Sequence, residues 1–278
     1  MLLEREEYVE QAYFFRVLLE RMTENVPMQE VLRLAEDEVL STTKLPMAIG
    51  YMLGELQLTG SISPAMEKLS HYFSCYQTYV IASAEEEAGR FDMRVALTIL
   101  RFLAEFMTKS PAPQAVFLYQ FEVLCRNRLG YVAGLDAMAK DPIYDEQWTS
   151  WIRDVRRQIG IVGLAELMYV RSDHYLQHRS REAGRDVEPE KPILFGEKEG
   201  KIALANRKKD PLLLFAALQR HLEYPQVPRL EKAERNDEIV PLLVRRTERL
   251  EHRLKLLEDE QQGGIDITKF YTPPDSQP

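Results

Sequence analysis

The sequence predicts an all-α protein built of antiparallel helical bundles, with one small β-hairpin near 192–205 and a long C-terminal helix. Three observations predict this. Apolar residues recur at three- and four-residue steps along most of the first 180 positions, the period of a helix buried on one face. Glycines, prolines and short polar residues fall between those runs, where helices stop and start. Strand-like runs flanked by glycine occur in one place, around Ile193-Leu194-Phe195 and Lys201-Ile202-Ala203-Leu204.

Taken in order, residues 4–23 read as an amphipathic helix through Tyr8, Ala12, Phe15, Leu18, Leu19 and Met22. Pro27 closes it and opens a second helix over about 28–41. A third helical run spans Lys44 to Leu58, with Gly60 as its stop. Ser63-Pro64 supplies a cap followed by proline at the first helical position, starting a helix through Met66, Leu69 and Tyr72. Tyr76 to Ala84 is helical and ends at Gly89. Asp92 is the expected N-cap of the next helix, which packs Val95, Leu97, Ile99, Leu100, Leu103 and Phe106.

Ser110-Pro111-Ala112-Pro113 marks a break. Two long helices are expected beyond it, about 114–139 and 145–180, parted by Asp141-Pro142. Residues 180–191 read as a polar loop, followed by the hairpin near 192–205, whose two runs flank Gly196 and Gly200, and a short apolar helix from Pro211 to about Leu222. From Pro228 the chain turns charge-rich. Val240, Leu243, Leu250, Leu254 and Leu257 step by about 3.5 residues, either as a short coiled coil or as a helix packed back on the body. The division expected is therefore a bundle over 1–109, a second helical region over 114–182, a loop, hairpin and short helix over 183–223, a charged helix over 228–262 and a loosely ordered tail over 263–278.

With 278 residues, one or two domains are expected, each able to bury a core. The net charge of −8 argues against nucleic acid and against broad adhesion to anionic lipid, since both need a basic face. Cys75 and Cys125 are far apart and form no metal or disulfide pattern, which fits a reducing cytoplasm. The first residues lack the basic-then-apolar order of a signal peptide. A membrane span needs about 18 apolar residues. The nearest approach, Ile159 to Val170, is shorter and carries Glu166, so no transmembrane anchor is expected.

Three stretches, in this order and at this spacing, carry a resemblance. The first is Phe14-Phe15-Arg16 with Leu18-Leu19, then Asn25-Val26-Pro27-Met28 and Val31-Leu32. The second is Gly60-Ser61-Ile62-Ser63-Pro64-Ala65-Met66. The third is Glu85-Glu86-Glu87-Ala88-Gly89-Arg90-Phe91-Asp92. Together they resemble the cytoplasmic domain of the type II secretion F-protein family, which includes the inner-membrane platform proteins of type IV pili. The resemblance covers residues 10–108. Phe15, Pro27, Gly60, Ser63, Gly89 and Asp92 carry the motif, and each has a structural reason: helix starts, helix stops and caps. Two positions depart from the pattern, Asn25 and Glu85, where the family has glycine. Residues 114–182 follow the first copy's order loosely. A degenerate repeat and ordinary helical packing both fit them.

What the resemblance implies is a small antiparallel bundle that associates with itself, with the assembly ATPase and with platform components, without cofactor and without catalysis. The self- or partner-binding surface is expected on the turn carrying Glu85, Glu86, Gly89 and Asp92 and on the outer face of the first helices. Glu85 to Glu87 also read as a solvated helix end or, less simply, as a cation site. Trp148 and Trp151, with Tyr144 one turn earlier, form an aromatic stripe that is either core or an exposed anchor for a partner.

Other chemistry is thin. His174 and His178 share a helix face and suit a metal, and with Asp173 they are the seed of a metal-dependent enzyme reading, yet no third ligand stands out. Gly196-x-x-x-Gly200-Lys201 misses the phosphate-loop spacing by one residue. Cys75 with His71 one turn earlier is the sole thiol–imidazole pairing at helical spacing. The expectation is a cytoplasmic, non-enzymatic protein-interaction module, with a bundle turned to a regulatory or structural role outside secretion as the alternative.

Overall fold

The computed structural model describes residues 2–24, 26–86 and 91–229. Residues 1–229 cluster as one compact unit. The expected C-terminal helix and tail lie outside the described residues, as do Asn25, Glu87 and Gly89.

The first six helices are α1 (Arg5–Thr23), α2 (Met28–Glu38), α3 (Leu45–Thr59), α4 (Ser63–Lys68), α5 (Cys75–Glu85) and α6 (Met93–Met107). Seven more follow: α7 (Pro113–Arg126), α8 (Tyr131–Met138), α9 (Glu146–Gln158), α10 (Leu164–Tyr169), α11 (Asp173–Ala183), α12 (Glu197–Ala205) and α13 (Pro211–Leu222). Among the described residues none of these helices is long and apolar enough to cross a membrane.

Each of the first six packs on its chain neighbour, and α1 packs most extensively on α6, which closes the bundle. Phe14, Phe15 and Leu18 of α1 are buried, as are Ile99, Leu100 and Leu103 of α6. The boundaries obey local chemistry. Gly60 ends α3 in the left-handed region (φ 78°), its amide donating to the Leu56 carbonyl at 2.9 Å. The Asp92 carboxylate accepts from the Arg94 amide at 2.7 Å and caps α6. Ser74 and Gln77 form a reciprocal capping box at the start of α5, a helix-start signal that the Ser-x-x-Gln spacing carries in the sequence itself.

Three expectations are overturned. The helix over 114–139 is two helices, α7 and α8, broken where Arg128 adopts a positive φ of 56°. The helix over 145–180 is three, broken first at Gly160 (φ 89°), then across 170–172, where Ser172 caps α11 by accepting from the Tyr175 amide. Apolar period alone does not register such a turn, because the period resumes beyond it: Val155 and Leu164 are both buried although Ile161 between them is exposed.

The hairpin is absent as well. Residues 197–205 form helix α12, with Glu197 and Lys201 paired one turn apart. Leu194 and Phe195 instead donate backbone amides to the Arg171 carbonyl, at 2.9 and 3.1 Å, and the Phe195 carbonyl accepts from Asp173 at 3.0 Å. The extended stretch therefore pairs with the turn before α11, not with residues 201–204. Gly200 is there for helix packing. A Cβ on it would lie 2.3 Å from Ser172 Oγ and 2.7 Å from His174 Cβ, so only glycine lets α12 approach α11 this closely.

Candidate functional site

The sequence-predicted site residues do not converge. Glu85 points inward along the bundle's end. Its two carboxylate oxygens accept from the amides of Ile62 and Ser63, at 2.6 and 3.0 Å. Those are orphan donors at the start of α4, and a carboxylate there is favoured by both hydrogen bonding and the helix dipole. Ser63 makes no side-chain cap, so the expected Ser63 cap is supplied by Glu85 from a distant helix. The departure from glycine at position 85 thus ties the second motif stretch to the third. Glu7 and Glu10 of α1 do similar work, accepting from the amides of Lys44 and Leu40 at 3.0 and 2.9 Å. Glu86 is exposed at the end of α5, and Asp92 pairs with Arg94 at 2.8 Å. Phe15 is buried, and Pro27 precedes α2.

Trp148 and Trp151 are buried, which removes the exposed-anchor reading. Trp151 meets Phe117 and Phe195 edge-on at 4.7 and 5.1 Å, and Trp148 lies 5.8 Å from Tyr144. His174 and His178 ride on α11, where His178 lies 3.5 Å from Glu182. Among the described residues no group of three or more His, Cys, Asp or Glu side chains is placed to share a metal ion. Cys75 is half-buried and His71 exposed, on either side of the α5 start. Cys125 is buried enough that its thiol is pushed up to about 11.

A buried polar network lies between α5, α7 and the 141–144 turn. Gln120 donates to Asp141 Oδ2 at 2.9 Å and accepts from the Tyr144 hydroxyl at 2.7 Å. Burial pushes Asp141 up to about 6, against the opposing effect of the Gln120 hydrogen bond. The backbone of Gln120 also accepts from Tyr76 at 3.3 Å. This network ties α5 and α7 to the 141–144 turn.

Two surface features were not legible as sites. The first is the outer side of α3. Met47, Tyr51, Gly54 and Leu58 fall within about 60° of arc on the helix, opposite the buried Leu45, Ile49 and Met52. Met47 and Leu58 are 81% and 82% exposed. The space above Gly54 is open. A helix that is apolar on both faces buries one against its own fold and leaves the other for something else.

The second is a cleft of about 220 Å³ between α9, the end of α10, α11 and residues 188–193. Trp151, Val155, Leu167 and Ile193 form apolar walls, and Arg171, Asp154 and Arg179 supply charge. Its residues span some forty positions of sequence, and residues 188–193 are brought to it by the Leu194–Phe195 pairing with Arg171 together with the Arg171–Pro192 and Arg179–Glu190 contacts. No family model, no curated protein and no solved structure matches this chain.

Proposed function

We propose that this chain is a non-enzymatic, cytoplasmic protein-interaction module that works as a scaffold, in the manner of a secretion or pilus platform's cytoplasmic bundle. The observation that carries the proposal is the exposed apolar stripe on α3. The secretion-type reading draws further support from the three motif stretches. They fall at successive junctions of one bundle, α1/α2, α3/α4 and α5/α6, with Glu85 joining the second to the third.

The occupant of the α3 face is a second copy of the chain. An antiparallel α3–α3 pair about a two-fold axis midway along the stripe sets Met47 opposite Leu58 and Tyr51 opposite Gly54, then repeats both contacts. The Tyr51 ring fills the open space above the partner's bare backbone. Such self-matching of large against small is what an isologous interface requires. The stripe spans about 16 Å of helix. A strip of that length falls short of the roughly 800 Å² per partner that a standard interface buries, so the dimer is expected to be weak and reversible. An assembly ATPase or platform component would then bind the dimer elsewhere.

Sedimentation velocity from low to several hundred micromolar tests this. A concentration-dependent dimer that Leu58→Glu abolishes, with an unchanged melting curve, supports it. A strict monomer across that range, or a dimer indifferent to Leu58→Glu, overturns it. So does a helix of another protein seated on α3 of a monomeric chain.

A further inference from the structure

The cleft beside α11 has the construction of a small-molecule site. Its inner wall is rigid: Trp151 is 2% exposed and locked between Phe117 and Phe195. Arg171 lines the same cleft, and its side chain is only 9% exposed. One arm of the guanidinium donates to the Pro192 carbonyl at 3.1 Å, and the other faces Asp154 Oδ2 at 3.6 Å. Two separate chain segments thus hold the group in one orientation.

The charge of Arg171 is matched only loosely by its surroundings, through one long ion pair. Asp154 is its nearest anion, beyond ordinary hydrogen-bond distance. That carboxylate is shared with Arg157, 3.6 Å from its other oxygen. Burial accordingly lowers the Arg171 pKa, with Asp154 opposing the shift incompletely. A buried guanidinium with donors to spare, set beside an apolar wall, is the arrangement that binds a carboxylate in the low-dielectric interior. At the mouth, Arg179 is satisfied by Glu190 at 2.9 Å, while Lys191 and Glu188 also line the opening. The rim is therefore close to neutral, and the Arg171 guanidinium, held only at 3.6 Å by Asp154, is the cation with donors left over.

We infer that this cleft binds a small organic monocarboxylate, its carboxylate against Arg171 and its apolar body against Trp151, Leu167 and Ile193. The volume is below the roughly 300 Å³ at which drug-sized pockets begin, which restricts the body to one ring or a short chain. The charged end fixes orientation, and the dry wall supplies affinity.

Titration calorimetry on the full chain with 4-phenylbutyrate tests the assignment, and 4-phenylbutan-1-ol serves as the same body without the charge. Tryptophan emission provides a second readout, because Trp151 is one of two tryptophans in the chain and forms the wall. Saturable sub-millimolar binding of the acid is expected, with the alcohol at least about tenfold weaker. Arg171→Lys, which loses the planar fork, should weaken the acid by about tenfold and leave the alcohol unchanged. If Arg171→Lys does not fold, Leu176→Trp decides instead: it fills the cleft from its half-buried wall and should abolish binding of both probes. No binding of the acid at millimolar concentration overturns the inference. Equal binding of acid and alcohol overturns it too, as does wild-type affinity in either variant.

Discussion

Replacing Asp141 with asparagine isolates the electrostatics of the buried network. In the native fold Asp141 sits at about 6, against an ordinary value of 3.8, because burial disfavours its charged form. The folded state therefore holds this proton more tightly than the unfolded chain. Stability from the group is fully present below about pH 4 and is lost as pH rises through about 6. A gap of about two pKa units, at about 1.4 kcal/mol each, gives close to 3 kcal/mol across that window. The Asp141→Asn amide does not titrate, although its oxygen can still accept from Gln120. Urea unfolding of both proteins at half-unit steps from pH 4 to pH 7.5 gives the difference in unfolding free energy at each pH. Groups such as Asp92 and Glu166, held below their usual range by Arg94 and Arg207, act in the opposite direction but cancel in the comparison. The variant should gain on wild type by about 3 kcal/mol between pH 4 and pH 7. A constant difference, or wild type gaining as pH rises, would refute the account of Asp141 as a carboxyl whose charged form is disfavoured by burial.

Two further substitutions test the packing reading. Glu85→Ala should cost about 1–3 kcal/mol by denaturant titration, since it strands the amides of Ile62 and Ser63 that the carboxylate now satisfies. A surface residue with no such role would change stability by less than about 0.5 kcal/mol. Gly200→Ala should cost about 1–3 kcal/mol by forcing α12 away from Ser172 and His174. Calorimetric melting of that variant at the wild-type temperature would show that α11 and α12 shift apart without loss.

The fold was legible where a chemical signal marked a boundary. Pro27, Gly60, Asp92 and Pro211 each stand at the helix end or start expected of them, because proline fixes φ, glycine tolerates the left-handed turn and aspartate satisfies orphan amides. Where the signal was period alone, the reading merged neighbours. Residues 114–139 and 145–180 carry an apolar period on both sides of the turns at Arg128 and Gly160. Glycine proved ambiguous at 196 and 200. The same residue that flanks a hairpin also lets two helices touch, and its neighbours in sequence do not say which.

The sequence by itself determined that the chain is helical, where most of its helices begin, and that no described segment suits a membrane span, since capping, propensity and hydropathy act within a few residues. It also placed apolar residues on α3 without telling which face would find a partner inside the fold. Only the tertiary structure decided that Met47 and Leu58 stay exposed, that Trp151 is wall rather than anchor, that Glu85 caps a helix more than twenty positions away, and that Arg171 lines a cleft closed by residues 188–193. Each of these depends on contacts between segments far apart in sequence. Such contacts are set by how the helices stack, and no local pattern encodes them.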